Sequence, residues 1–177
     1  MFDPTAFENM RVVMEGIFYD KDLKGEIKIL DRNDYLNTAK LSRSYDLSFQ
    51  LSSSYHQPVI CKFTLTAGLE NLTAELLPEY VPPRYAGCVS KLEFTFISDF
   101  NESLISEVNE ALRDIWGESR INKLTVCWEA PSIIEQVIYT ALVSFDRIIH
   151  EDQIEDLSEM TNYMVRTLEM LEMILDV

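Results

Sequence analysis

Three stretches of the chain alternate apolar and polar residues with a period of two. A chain that does this repeatedly is built to form a sheet with one covered and one wet face. Tyr45, Leu47, Phe49 and Leu51 alternate with Ser44, Asp46, Ser48 and Gln50. Val59, Cys61, Phe63 and Leu65 follow, then Leu92, Phe94 and Phe96 within 90–97. His56-Gln57-Pro58 reads as the turn between the first two runs, which makes them an antiparallel hairpin in a meander. Residues 26–30 are a short strand candidate. Residues 121–128 read as a fifth strand, with Leu124, Val126 and Trp128 on one face.

Helical periodicity fills the gaps. Asp3 can cap a helix that has Pro4 in its first turn and Ala6, Phe7, Met10, Met14, Ile17 and Phe18 on one face. It should end at 20–24, before Gly25. Leu69, Leu72 and Leu76 mark a short helix over 67–77, after which Pro78, Pro82 and Pro83 force an extended loop. Asn101 or Ser103 opens a helix carrying Leu104, Ile105, Val108, Leu112 and Ile115, with Gly117 as its stop. The expected class is α+β: a mostly antiparallel sheet of about five strands with helices packed on one face. The strand–helix–strand of 90–128 could add one parallel pair through a right-handed crossover. No repeat, low-complexity run or linker divides the chain, so 1–177 is expected to be one domain.

Residues 132–177 are expected to form a C-terminal pair of long helices. Ser132-Ile133-Ile134-Glu135 matches a capping box, and apolar residues follow at 134, 137, 138, 141, 142, 145, 148 and 149. Val137, Tyr139, Ala141, Val143 and Phe145 also alternate, so a strand is the competing reading; length and the cap favour helix. A second stripe occupies 154, 157, 160, 164, 165, 168, 171, 174 and 175. Carried through 150–153 as one helix, the stripes lie roughly 120° apart at ~100° per residue. The segment is then either a helical hairpin or a straight helix whose last half reaches for a second copy, and a homodimer through the terminal helices is expected.

Charge narrows the partner classes. The chain carries 30 acids and 15 bases, a net −15. Residues 1–97 hold 13 acids and 10 bases, net −3; residues 98–177 hold 17 and 5, net −12. Such a surface repels phosphate backbones and anionic lipid, so neither nucleic acid nor membrane is expected as a partner. A basic or amphipathic protein is. Acids at Asp152, Glu155, Asp156 and Glu159 would sit in the first turns of the last helix, where its dipole favours them. Cys61, Cys88 and Cys127 are odd in number and in no metal spacing, as in a reduced, cytoplasmic protein. The N-terminus has no signal-peptide pattern, and no run of some 18 apolar residues suits a membrane span.

No catalytic set stands out, and no cofactor is expected. Thr66-Ala67-Gly68 lacks the further glycines and the lysine of a nucleotide loop. His150 with Glu151, Asp152 and Glu155 is the one weak candidate for a divalent cation, and a solvated acidic turn is the plainer reading. Two features suit protein contact. Tyr80, Arg84 and Tyr85 share a loop stiffened by Pro82-Pro83. Met160, Met164, Met170 and Met173 give the last helix four adaptable thioethers, although core filling explains methionines as well. In size, acidity and strand meander the chain resembles bacterial secretion chaperones, a likeness of fold that carries no motif and transfers no residue role. The expected function is a non-enzymatic interaction protein: chaperone, inhibitor or regulator. The runner-up is an enzyme or ligand-binding domain using carboxylates, and mimicry of DNA by the acidic face is a third possibility.

Overall fold

The computed structural model describes residues 5–54, 58–128 and 136–176. The elements are α1 (Ala6–Leu23), β1 (Ile27–Asn37), β2 (Ser42–Leu51), β3 (Ile60–Ala67), α2 (Leu69–Leu76), β4 (Val89–Asp99), α3 (Glu102–Trp116), β5 (Ile121–Cys127), β6 (Gln136–Ser144) and α4 (Ile154–Leu175). Short 3₁₀ turns cover Pro83–Tyr85 and Glu151–Gln153. The six strands form one antiparallel sheet in the order β1-β2-β3-β4-β6-β5. The fold is α+β. The expected Asp3–Pro4 cap, the turn at His56-Gln57 and the Ser132–Glu135 capping box lie outside the described residues.

Alternation decides which face is covered. Leu47, Phe49, Cys61, Phe63, Leu65, Leu92, Phe94, Phe96, Tyr139 and Val143 are all buried on one face. Against it lies a helical layer in the order α1, α4, α3: α1 meets β1 and β3, α4 meets β2 and β3, and α3 meets β5. The opposite face carries Lys62, Lys91, Glu93, Thr95 and Ile97 and has no layer over it among the described residues.

The short strand expected at 26–30 runs on to Asn37. Its outer half, Asp31-Arg32-Asn33-Asp34, is too polar to read as a strand, and it can be so because β1 is an edge. A register shift between Ile29 and Asp31 turns Arg32 and Asp34 toward α1. There Arg11, Arg32 and Arg43 interleave with Glu8, Glu15 and Asp34.

The terminal helical pair is the main correction. Residues 136–144 are strand β6, with Val137, Tyr139, Ala141 and Val143 buried and the intervening residues half-buried. β6 enters the sheet between β4 and β5, antiparallel to both, so the parallel pair expected from 90–128 does not form. Only α4 remains of the pair, and its stripe lies over the chain's own sheet: Leu157, Met160, Met164, Leu168 and Leu171 are buried, with Ile154, Val165, Ile174 and Leu175 packed against the core. The 120° offset is thus a strand followed by a helix, and it no longer requires a second copy.

Local caps hold the layers together. Thr5 accepts from the Glu8 amide at the start of α1, and Glu75 of α2 accepts from the Ala6 amide at 2.9 Å. Asn101 caps α3 by accepting from the Ser103 amide. Asn71 accepts from the Gly68 amide and donates to the Tyr85 carbonyl, pinning the proline loop to α2. Cys88 and Ile149 exchange two backbone hydrogen bonds, of 2.9 and 2.7 Å. Gly87 is required beside them: its φ is +144°, and a Cβ there would stand 2.2 Å from the Ile149 carbonyl oxygen.

Candidate protein-interaction site

One end of the α3–α4 seam opens into a hollow of about 250 Å³. Its wall is set by helix geometry. Asp156, Glu159, Met160 and Tyr163 recur every three to four residues and share one face of α4. Trp116 closes α3, which stops at Gly117 (φ +81°). Phe145 follows the last residue of β6. The Trp116 indole donates to the Thr167 hydroxyl at 3.0 Å, and that hydroxyl donates to the Tyr163 carbonyl at 2.7 Å, so the ring is fixed to α4. Trp116 lies 5.8 Å from Phe145, edge to face at 73°, and 5.8 Å from Tyr163. Phe145 and Met160 are buried as floor, whereas Tyr163 is 37% exposed.

Charge lines the opening. Arg120 stacks over the Phe145 ring, 5.2 Å from its centroid. Arg147 pairs with Asp156 at 3.4 Å. Both partners of that pair are about half exposed, so the ion pair is worth at most ~1 kcal/mol and opens readily. Glu159 is exposed and lines the hollow. Glu118, Asp146, Asp152 and Glu155, all exposed, sit within four residues of these groups in sequence. Flat aromatic walls beside carboxylates suit a guanidinium or ammonium group, which gains from the ring face and from the acid together. Arg120 on Phe145 is the chain's own instance of that stacking.

The residues expected to act in contact separate. Met160 and Met164 are 8% and 0% exposed and fill the core, because they fall on the stripe that faces the sheet. Met170 is half-buried, and Met173, at 67%, is open. Tyr80 is 80% exposed on the loop after α2, while Arg84 folds onto Tyr85, 4.9 Å from its ring centroid. That loop contributes nothing to the hollow, which periodicity alone could not have found. Its aromatic walls come from Trp116, Phe145 and Tyr163, remote in sequence.

The cation candidate is not assembled. His150 Nδ1 stands 2.6 Å from the Ala86 carbonyl, Glu151 accepts from Asn9, and Asp152 and Glu155 point to solvent. No group of three or more metal-ligating residues converges among the described residues. Cys61 and Cys88 are buried thiols. Burial alone holds Cys61 well above the ordinary thiol range, and burial with Glu75 nearby pushes Cys88 up to about 12. Cys127 is exposed, since it pairs with Ile138 on the sheet face that no described layer covers. No described helix is long and apolar enough to cross a membrane. Comparison with protein-family models, with curated proteins and with solved structures finds no match to this chain.

Proposed function

We propose that the protein is a non-enzymatic interaction module that binds a basic or amphipathic segment of a protein partner through the α3–α4 end, as a chaperone, inhibitor or regulator would. The observation that carries this reading is the aromatic hollow of Trp116, Phe145 and Tyr163 opening beside Asp156 and Glu159 on the half of the chain with net −12. An arginine or lysine of the partner would lie on Trp116 or Tyr163 and take Asp156 from Arg147. The surrounding acids would speed encounter and make it salt-sensitive. The carboxylate-enzyme reading has less behind it. Glu75 is the one described carboxylate held above its ordinary range, and it is engaged with the α1 amide.

Trp128→Phe removes a residue 61% exposed and leaves Trp116 as the sole indole reporter. Titration of that variant with an arginine-rich amphipathic peptide is expected to change Trp116 fluorescence. Glu159→Gln with Asp156→Asn, and separately Tyr163→Ala, should weaken binding about 5- to 30-fold, the equivalent of ~1–2 kcal/mol of cation–π and charge contact. Binding that is equally tight in these variants, or no binding at low salt, would remove the proposal.

A further inference from the structure

The sheet has two edges, and the sequence guards only one of them. β1 carries Lys28, Asp31, Arg32 and Asp34 and a register shift, features that keep an edge from pairing with another chain. β5 is the opposite edge. It holds one charge, Lys123, and no proline, and its register with β6 is unbroken from Ile121 to Cys127. Leu124 and Val126 face the helical layer beside the fully buried Ala141 and Tyr139, yet are themselves only half-buried. The outward backbone groups of β5 meet no strand among the described residues. The hydrogen-bond ladder and the apolar row therefore both end open at this edge.

Each end of β5 runs into an aromatic site. Arg120, which immediately precedes it, stacks on Phe145 in the wall of the α3–α4 hollow, and Ile121 pairs with Ser144, the residue before Phe145. Trp128, which immediately follows it, is exposed and lies 5.6 Å from the exposed Phe100. A seven-residue strand, about 23 Å long, separates the two sites. We infer that the partner segment docks as an extended strand on β5, antiparallel like every other pair in the sheet, with a basic residue at its C-terminal end in the hollow and an apolar residue at its N-terminal end against Trp128. This rests on the reading of the hollow given above and adds the form of the partner: a strand, not an amphipathic helix.

Charge selects a basic segment over a second copy. α3 packs against β5 and exposes Glu102, Glu107, Glu110 and Asp114 against one base, Arg113. Two β5 edges joined antiparallel are related by a twofold axis through the sheet, which leaves both helical layers on the same side and brings the two α3 helices alongside each other. Their acids would then oppose one another. The same acids attract a cationic strand. Main-chain hydrogen bonds to β5 hold such a strand whatever its sequence, and the row of Leu124 and Val126 favours apolar residues at its alternate positions.

A peptide of about nine residues, alternating valine and threonine with arginine near its C-terminus, tests this on the unaltered chain. Two further versions are N-methylated on one or the other set of alternate amides. Successive N–H groups of a strand point to opposite sides, so one set faces β5 and the other faces away. One methylated version should bind at least about tenfold more weakly than the parent peptide, and the other about as tightly as the parent. The bound parent should slow amide exchange at alternate residues of 123–127, resolved by NMR, and leave β1 unchanged. Equal affinity of the two methylated versions, with β5 exchange unaltered, overturns the strand; if Tyr163→Ala still weakens binding, the reading of the hollow survives that result. Protection of β5 and the methylation difference persisting at full affinity in Tyr163→Ala would keep the strand and remove the hollow. No binding of the parent peptide at low salt overturns both.

Discussion

At Glu75, burial holds the carboxyl above the ordinary value of 4.5, outweighing the Ala6 amide that favours its ionised form; Glu151 nearby adds to the rise. The protonated form therefore favours the folded state. That contribution is complete below pH 4.5 and fades as pH rises through the folded-state value. Glutamine keeps an acceptor for the Ala6 amide without the charge. Glu75→Gln should therefore gain stability relative to wild type as pH is raised from about 4 to about 7, read from urea midpoints at each pH. Glu8 has the opposite sign, because the Arg11 and Arg43 guanidiniums hold it below its ordinary range. Neither role is visible in the sequence. Nothing in the spacing of Glu75 and Ala6, 69 positions apart, announces that one caps the other. By contrast, Asn101 and Gly117 declared themselves as the ends of α3, because capping chemistry is local.

Among the elements, α4 gives the sharpest contrast. Its stripe was legible because a helix covered on one side must bury every third or fourth residue. Met164→Ala should cost ~2–5 kcal/mol, as large-to-small changes in a packed core do. Met173→Ala, nine residues further along the same helix, should stay within about 0.5 kcal/mol, both read by denaturant unfolding. β6 was misread for a physical reason. It lies inside the sheet, so Ile138 and Leu142 on its second face are half-buried as well as the alternating set on its first. When both faces of a strand are apolar, helical and strand periods fit the same residues. β1 was cut short for the converse reason, since an edge strand can be polar on both faces where it leaves the core.

Across the whole molecule, charge and cover are divided between two layers. The helices carry most of the acidity of residues 98–177, and the open sheet face mixes Lys62, Lys91 and Lys123 with Asp46 and Glu93. The class of fold followed from alternation and helix spacing, but strand order did not, because a period of two says which face a residue takes and nothing about its neighbour. The placement of β6 between β4 and β5 also imposes an order in time. While the chain is being synthesised, β4 keeps an unpaired ladder edge and β5 has no neighbour until residues 136–144 emerge. A chain ending at residue 131 should therefore collect in the insoluble fraction, measured against the full chain expressed alongside it. Every newly made copy passes through that interval with one edge of Val89–Asp99 bare, and only the arrival of Gln136–Ser144 closes it.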